Sequence, residues 1–91
     1  MAGVKFSVVT VCFNSAATIG DTLASVANQR GVTFEHVVVD GASSDATMEI
    51  VTGFTPEVAR LISEPDRGLY DAMNKGMAIA TGDIYRLSQQ R

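Results

Sequence analysis

Ninety-one residues carry seven Lys or Arg against ten Asp or Glu, a net charge of −3, with 46% hydrophobic and 19% charged side chains. That describes one folded domain at most, and a domain this short buries only roughly 60 to 65 per cent of the surface its unfolded chain exposes. The composition excludes a disordered chain, whose hydrophobicity would be far lower. The lack of any basic run excludes a nucleic-acid backbone as partner, because such binding depends on clustered cations.

The single cysteine, Cys12, sits in a hydrophobic run and has no second cysteine to pair with, which points to a reducing, intracellular compartment and a buried structural thiol. No apolar run reaches the roughly 18 residues of a membrane span, and the first five residues show no cleavage pattern. The expected location is cytoplasmic, with peripheral attachment to the inner face of the membrane left open.

In chain order, Phe6-Ser7-Val8-Val9-Thr10-Val11-Cys12-Phe13 is dominated by apolar and β-branched residues with almost no polar alternation, the pattern of a strand covered on both faces. Asn14-Ser15 breaks it, and Ser15 is placed to cap a helix over 16–29, with Ile19, Leu23, Val26 and Ala27 on its inner face. Arg30-Gly31 ends that helix. Phe34-Glu35-His36-Val37-Val38-Val39-Asp40 reads as a second strand, and Gly41-Ala42-Ser43-Ser44-Asp45 as a turn in which Ser44 or Asp45 caps a short helix over 46–54. Met48, Val51 and Phe54 turn inward, and Thr55-Pro56 closes the helix, since the residue before proline is pushed out of helical geometry. Residues 58–63 form a weaker third strand. A turn through Pro65 and Gly68 leads into a helix over 69–80 with Tyr70, Met73, Met77 and Ala80 on one face, and Gly82 is its C-cap. Residues 84–87 start a fourth strand.

The order β-α-β-α-β-α-β implies right-handed crossovers and a mostly parallel, Rossmann-like sheet in a three-layer α/β/α domain. Ligands of such sheets bind at the carboxyl ends of the strands. Those ends are Phe13-Asn14, Asp40-Gly41 and Ser63-Glu64-Pro65-Asp66, three polar segments converging on one edge. No G-x-G-x-x-G or Walker lysine loop follows the first strand, which argues against NAD or ATP in their usual modes. Asp40 is placed either to accept hydrogen bonds from a ribose or base or to begin an Asx-type turn. Phe13 lies either against a base or in the core. Asp71 and Lys75, four apart on a helix, read on their own as a solvated pair, and His36, early in the second strand, as a partly exposed structural residue and not a metal ligand.

Four blocks, Ser7 to Ser15, Val39 to Asp45, Ser63 to Gly76 and Ala80 to Asp83, resemble in order and spacing the successive motifs of the family 2 glycosyltransferases, inverting enzymes with an A-type glycosyltransferase fold. The resemblance implies a nucleotide-diphosphate sugar of the UDP or GDP type as partner, used in polysaccharide or cell-envelope biosynthesis. It implies nucleotide binding by Phe13, Asn14, Asp40, Asp66 and Arg67, with donor-side support from Asp71, Asn74 and Lys75. Many relatives carry two adjacent aspartates where Asp40-Gly41 stands here. After Gly82-Asp83-Ile84 the family runs into an Asp-x-Asp motif that holds Mg²⁺ or Mn²⁺; here Tyr85 to Arg91 follows, with no acidic residue after Asp83. The expectation is a single truncated nucleotide-sugar-binding domain over 1–91, with no metal or catalytic base of its own and inactive alone. The alternative is a non-catalytic nucleotide-binding or self-associating α/β module, forming homo-oligomers through an exposed sheet edge.

Overall fold

The structure is a computed structural model that describes residues 6–28, 34–54, 58, 60–82 and, as backbone, 84–90. The expected helix stop at Arg30-Gly31, the closing Thr55-Pro56 and Asp83 lie outside the described residues. Seven elements follow one another: β1 (Phe6–Cys12), α1 (Ile19–Ala27), β2 (Phe34–Asp40), α2 (Thr47–Thr52), β3 (Arg60–Ser63), α3 (Leu69–Ile79) and β4 (Ile84–Gln90). All pairings are parallel, in the spatial order β3-β2-β1-β4, with Cys12 beside Asp40 and Asp40 beside Ser63.

The Val-rich strands are buried because both faces are covered. On one face Cys12 and Val38 pack with Ile19, Leu23, Val51 and Val58, under α1 and α2. On the other, Val9, Val11, Val37 and Val39 meet Ala72 of α3, with Leu69, Met73 and Ile79 alongside. The chain steps from β1 outward to β2 and β3, then returns through α3 on the opposite face to place β4 on the far side of β1. The strand order therefore reverses between β1 and β4, the switch point at which such sheets open a crevice at their carboxyl ends.

Several local expectations change. β1 ends at Cys12, leaving Phe13 in the following bend and 41% exposed. α1 starts at Ile19 and not at Ala16, because residues 15–18 close as a turn: the Ser15 carbonyl accepts the Thr18 and Ile19 N–H groups. Ser15 sends its hydroxyl back to the Phe13 carbonyl at 3.0 Å, and the N-cap position of α1 is taken by Thr18. Ala27, at the fraying end of α1, is exposed. β3 shortens to four residues, with Val58 buried just ahead of it.

The inner face of α3 holds Met73 and Ala80 as expected, but not Tyr70 and Met77. Tyr70 is 80% and Met77 39% exposed, and the residues against the sheet are Ala72 and Gly76. The cause is distance: a Cβ on Gly76 would stand 2.4 Å from Cγ1 of Val9 and 3.1 Å from Cγ2 of Val39, so α3 lies too close to the sheet for a side chain there. The C-cap of α3 is Ala80, and Gly82 is buried with its N–H on the Ser7 hydroxyl at 2.9 Å.

That last bond belongs to a clasp at the amino ends of the strands. Glu35, at the start of β2, accepts from the Ser7 hydroxyl (2.9 Å) and from the Thr81 N–H (2.6 Å), and its other oxygen lies 3.4 Å from Nε of Arg60. It fixes the segment that leads from α3 into β4. His36 is buried at 2% exposure, not partly exposed, and pairs with the Thr10 hydroxyl at 2.8 Å. Burial pushes its pKa down from 6.5 to about 4.

Two stability predictions follow from these contacts. Gly76→Ala lowers stability by about 1 to 3 kcal/mol through overpacking against Val9, despite the better helix propensity of alanine. Gly20→Ala, whose Cβ meets Ile50 at an ordinary 3.6 Å, raises it by up to about 1 kcal/mol; urea titration of the two variants should show opposite signs. For His36, the unfolded chain takes up a proton as pH falls below 6.5 while the folded chain resists until about pH 4. The stability present above pH 6.5 is thus lost across that window, by about 3 kcal/mol at its lower end. Urea midpoints measured from pH 7.5 to 4.5 should fall, and His36→Gln, which keeps a partner for Thr10, should flatten this component.

Candidate functional site

At the carboxyl ends of the strands three connections meet: residues 13–18 after β1, 41–46 after β2 and 64–68 after β3. Asp40, fully buried at the tip of β2, ties them. One carboxylate oxygen accepts the Ser43 N–H and the Ser63 hydroxyl, both at 2.9 Å; the other accepts the Ser43 hydroxyl and faces the Cys12 thiol at 3.6 Å. An ionised carboxylate has about four lone-pair sites, and here four donors surround them. Asp40 therefore holds the turn that follows it, through the residue three on and not the two-residue Asx spacing that the sequence left open against a ligand role.

The backbone extends the same tie. Gly41 donates to the Cys12 carbonyl at 2.9 Å and Glu64 to the Asp40 carbonyl at 3.0 Å, each carrying a strand ladder one step into the loop. Asn14 is held twice: its N–H donates to the Ser43 hydroxyl, and its side-chain oxygen accepts the Ser44 N–H, both at 2.8 Å. That acceptor role fixes the amide orientation and leaves its NH₂ group as a donor on an exposed loop. Asn14 and Ala42 both adopt left-handed backbone, φ 47° and 65°. Asparagine takes this conformation readily; for alanine it costs of order 1 to 2 kcal/mol. Strain of this kind, two residues past the end of β1 and two past the end of β2, is characteristic of ligand-facing turns.

Asp45 locks the first two connections together from outside. It accepts the Thr47 N–H at 3.0 Å and the Ala16 N–H at 3.2 Å, while the Thr47 hydroxyl accepts the Ser15 N–H at 2.8 Å. The hydroxyl and N–H of Thr47 hold the Asp45 carboxyl below the usual carboxylate range, against the opposing effect of desolvation.

The third connection is organised from α3. Asp66 accepts the N–H of Gly68, whose φ of 113° no other residue adopts easily, at 3.0 Å. Asp71 accepts the Arg67 N–H at 2.9 Å. Lys75 donates to the Pro65 carbonyl at 2.8 Å and lies 3.1 Å from Glu64 and 3.4 Å from Asp71. The Arg67 N–H lowers the pKa of Asp71, opposed by desolvation and aided by Lys75. For Lys75, desolvation works against the charge, and the hydrogen bond and charges of Glu64 and Asp71 outweigh it, raising the pKa. Arg67 is exposed, and no described residue pairs with its guanidinium.

Of the sequence-predicted residues, the structure gathers Phe13, Asn14 and Asp40 at the first two strand ends. It groups Asp66, Arg67, Asp71 and Lys75 at the third. Asn74 is exposed on α3 and makes no hydrogen bond to a described residue. Asp71 and Lys75 are not merely a solvated helix pair, because both also hold the preceding loop. The residues missed are Ser43, Ser63 and Thr47, which carry the contacts between loops. Local spacing does not name Ser43: an Asx turn closes two residues on, whereas Ser43 is three on from Asp40.

A sequence model of glycosyl transferase family 2 matches residues 7–87. The PGL/p-HBAD biosynthesis glycosyltransferase of Mycobacterium bovis (strain BCG / Pasteur 1173P2) is 44% identical over 85 residues, covering 90% of this chain and 33% of its own length. Among solved structures, S. aureus TarS 1-349 in complex with UDP-GlcNAc superposes with a TM-score of 0.86 at 28% identity, over 94% of this chain and 26% of that one. The mannosyltransferase PcManGT from Pyrobaculum calidifontis, in complex with GDP-Man and Mn²⁺, gives 0.86 at 29% identity, over 99% of this chain and 28% of its own. The chain thus spans about a third or less of the length of these proteins. The shared architecture is the A-type glycosyltransferase fold, in its amino-terminal portion. On the strength of a family match over nearly its whole length, this chain belongs to glycosyl transferase family 2.

Proposed function

We propose that the carboxyl-end loops form the nucleotide-binding wall for a UDP- or GDP-linked sugar, in a protein that transfers the sugar during polysaccharide or cell-envelope biosynthesis. The observation that carries this reading is the convergence of three strand-end loops on Asp40 beside the β1/β4 reversal. The names of similar proteins support it: TarS was crystallised with UDP-GlcNAc and PcManGT with GDP-Man. Phe13, exposed at the end of β1, lines the base, and the free NH₂ of Asn14 donates to a base carbonyl. Asp40 receives a base or ribose donor by exchanging one of its present ones, and the hydroxyl of Ser43, a half-buried residue of the same turn, is the one that rotates away. Arg67 stands next to the amino terminus of α3, an 11-residue helix with no side-chain cap hydrogen bond. Its guanidinium and the positive end of that helix meet the diphosphate, with Asp66, Asp71, Asn74 and Lys75 supporting that side.

A full-length relative is expected to hold Mg²⁺ or Mn²⁺ against the diphosphate, where the ion neutralises the leaving group. The residues described do not fit such an ion: Asp40, Asp45, Asp66 and Asp71 each already accept protein donors, and no three His, Cys, Asp or Glu side chains among the described residues form a cluster. No catalytic step is derived through a metal. The 91 residues by themselves bind nucleotide and transfer no sugar. No helix among the described residues is long and apolar enough to cross a membrane.

Self-association is the second reading, favoured by β4, a seven-residue strand with only β1 as neighbour among the described strands. One set of solution measurements addresses both readings. Calorimetry should show binding of UDP or GDP and their sugars, and Arg67→Met should weaken it tenfold or more, about 1.4 kcal/mol. Absence of heat with every nucleotide contradicts the first reading, and light scattering that shows only monomer over a wide concentration range contradicts the second.

A further inference from the structure

The loop that carries Asp66 and Arg67 has no regular structure and little burial: Glu64, Pro65 and Arg67 are exposed. Five residues in that state would sample many conformations, and each ordered residue costs roughly 1 to 2 kcal/mol of backbone entropy. Something must hold it if Arg67 is to meet a ligand in one place. At its start the loop is fixed by the Glu64 N–H on the Asp40 carbonyl, and at its end by α3 itself. Between these points Asp66 holds the Gly68 N–H from within the loop, and two side chains of α3, one turn apart, hold it from outside.

Lys75 reaches back ten residues to the Pro65 carbonyl (2.8 Å) and to the Glu64 carboxylate (3.1 Å). Asp71, 3.4 Å from the same ammonium, holds the Arg67 N–H at 2.9 Å. The three N–H groups of the lysine thus face three oxygens, from Glu64, Pro65 and Asp71, and the side chain is only 23% exposed. A lysine so engaged has no donor left over for a phosphate, whereas the exposed guanidinium of Arg67 has all five. Its position is also enforced from below, because Gly76, next in sequence, brings α3 into contact with Val9 and Val39.

We infer that Lys75 is a positioning residue: it ties residues 64–66 to α3 and, with Asp71, presents Arg67 to the diphosphate without touching the nucleotide itself. The inference rests on the nucleotide-site reading above and gives the support expected of Lys75 a physical form, distinct from the binding role of Arg67. Arg67 binds; Lys75 holds. Replacing the lysine by methionine removes the tie while keeping the aliphatic stem, and leaves the sheet and both core clusters untouched.

The test uses the 91-residue chain, with amide exchange and ¹⁵N spectra read by NMR beside calorimetry with UDP and GDP. In Lys75→Met the amides of Arg67 and Gly68 should exchange at least tenfold faster, with β1 and β2 amides unchanged, and nucleoside diphosphate affinity should fall about tenfold. Arg67→Met should lose similar affinity with no change in exchange, and the double variant should lose little more than either alone, since a loosened loop no longer presents the arginine. Lys75→Arg, which keeps charge and donors, should recover part of the exchange protection and of the affinity. Unchanged exchange in Lys75→Met overturns the inference, as do additive losses in the double variant, which would mark Lys75 as a direct ligand. If the wild-type chain binds no nucleotide, the site reading fails; loss of protection in Lys75→Met would then show a tie that serves no ligand, and the inference falls with it.

Discussion

The arrangement depends on one buried carboxylate. Asp40 ends β2 with no exposure to solvent, and an ion in that position is tolerated only when its lone pairs are met. Ser43 meets them from its own loop and Ser63 from the end of β3, while Cys12 contributes from β1. The same requirement that makes the burial tolerable therefore brings three strand ends into register. Removing a hydroxyl partner would leave an acceptor short of donors, at about 1 to 3 kcal/mol, and would loosen a turn that is already in left-handed geometry at Ala42.

Around that centre, the two ends of the sheet have different tasks. At the amino ends Glu35 gathers Ser7, Thr81 and Arg60, and so fixes the entry to β4. At the carboxyl ends the loops are held by side chains and single backbone bonds, with solvent on one side. The first arrangement is a structural closure; the second keeps donors such as the Asn14 amide and the Arg67 guanidinium in place but unspent. Close packing of α3 at Gly76 links the two, because it sets the height of the helix from which Asp71 and Lys75 reach the loop.

Much of this was legible in the sequence. β2 follows its apolar run to the residue, and the three-layer order follows from strands too apolar to face water. The polar strand ends converge as the topology requires. Where the reading failed, the cause lay in contacts distant in sequence. Ser15 looks like a cap, yet its amide is taken by Thr47, 32 positions away, and α1 starts a turn later. On α3, Met73 and Ala80 pack inward as read, but Tyr70 and Met77 do not, because the face is set by Ala72 and by the missing side chain of Gly76. His36 was placed near solvent because a strand start often is, and Thr10 on the neighbouring strand supplies the partner that lets it be buried. Ser63 bonds Asp40 from 23 positions away, a pairing that only strand register reveals.

The central claim is that these loops, and not another surface, receive a nucleotide. It is tested most directly by ¹⁵N–¹H NMR of the 91-residue chain titrated with UDP and with GDP. The account predicts shifts confined to amides of residues 13–15, 41–44 and 66–69, with those of Glu35, His36, Thr81 and Gly82 at the opposite end unmoved. Saturable shifts centred on the opposite end, or none at either end at millimolar nucleotide, would contradict it.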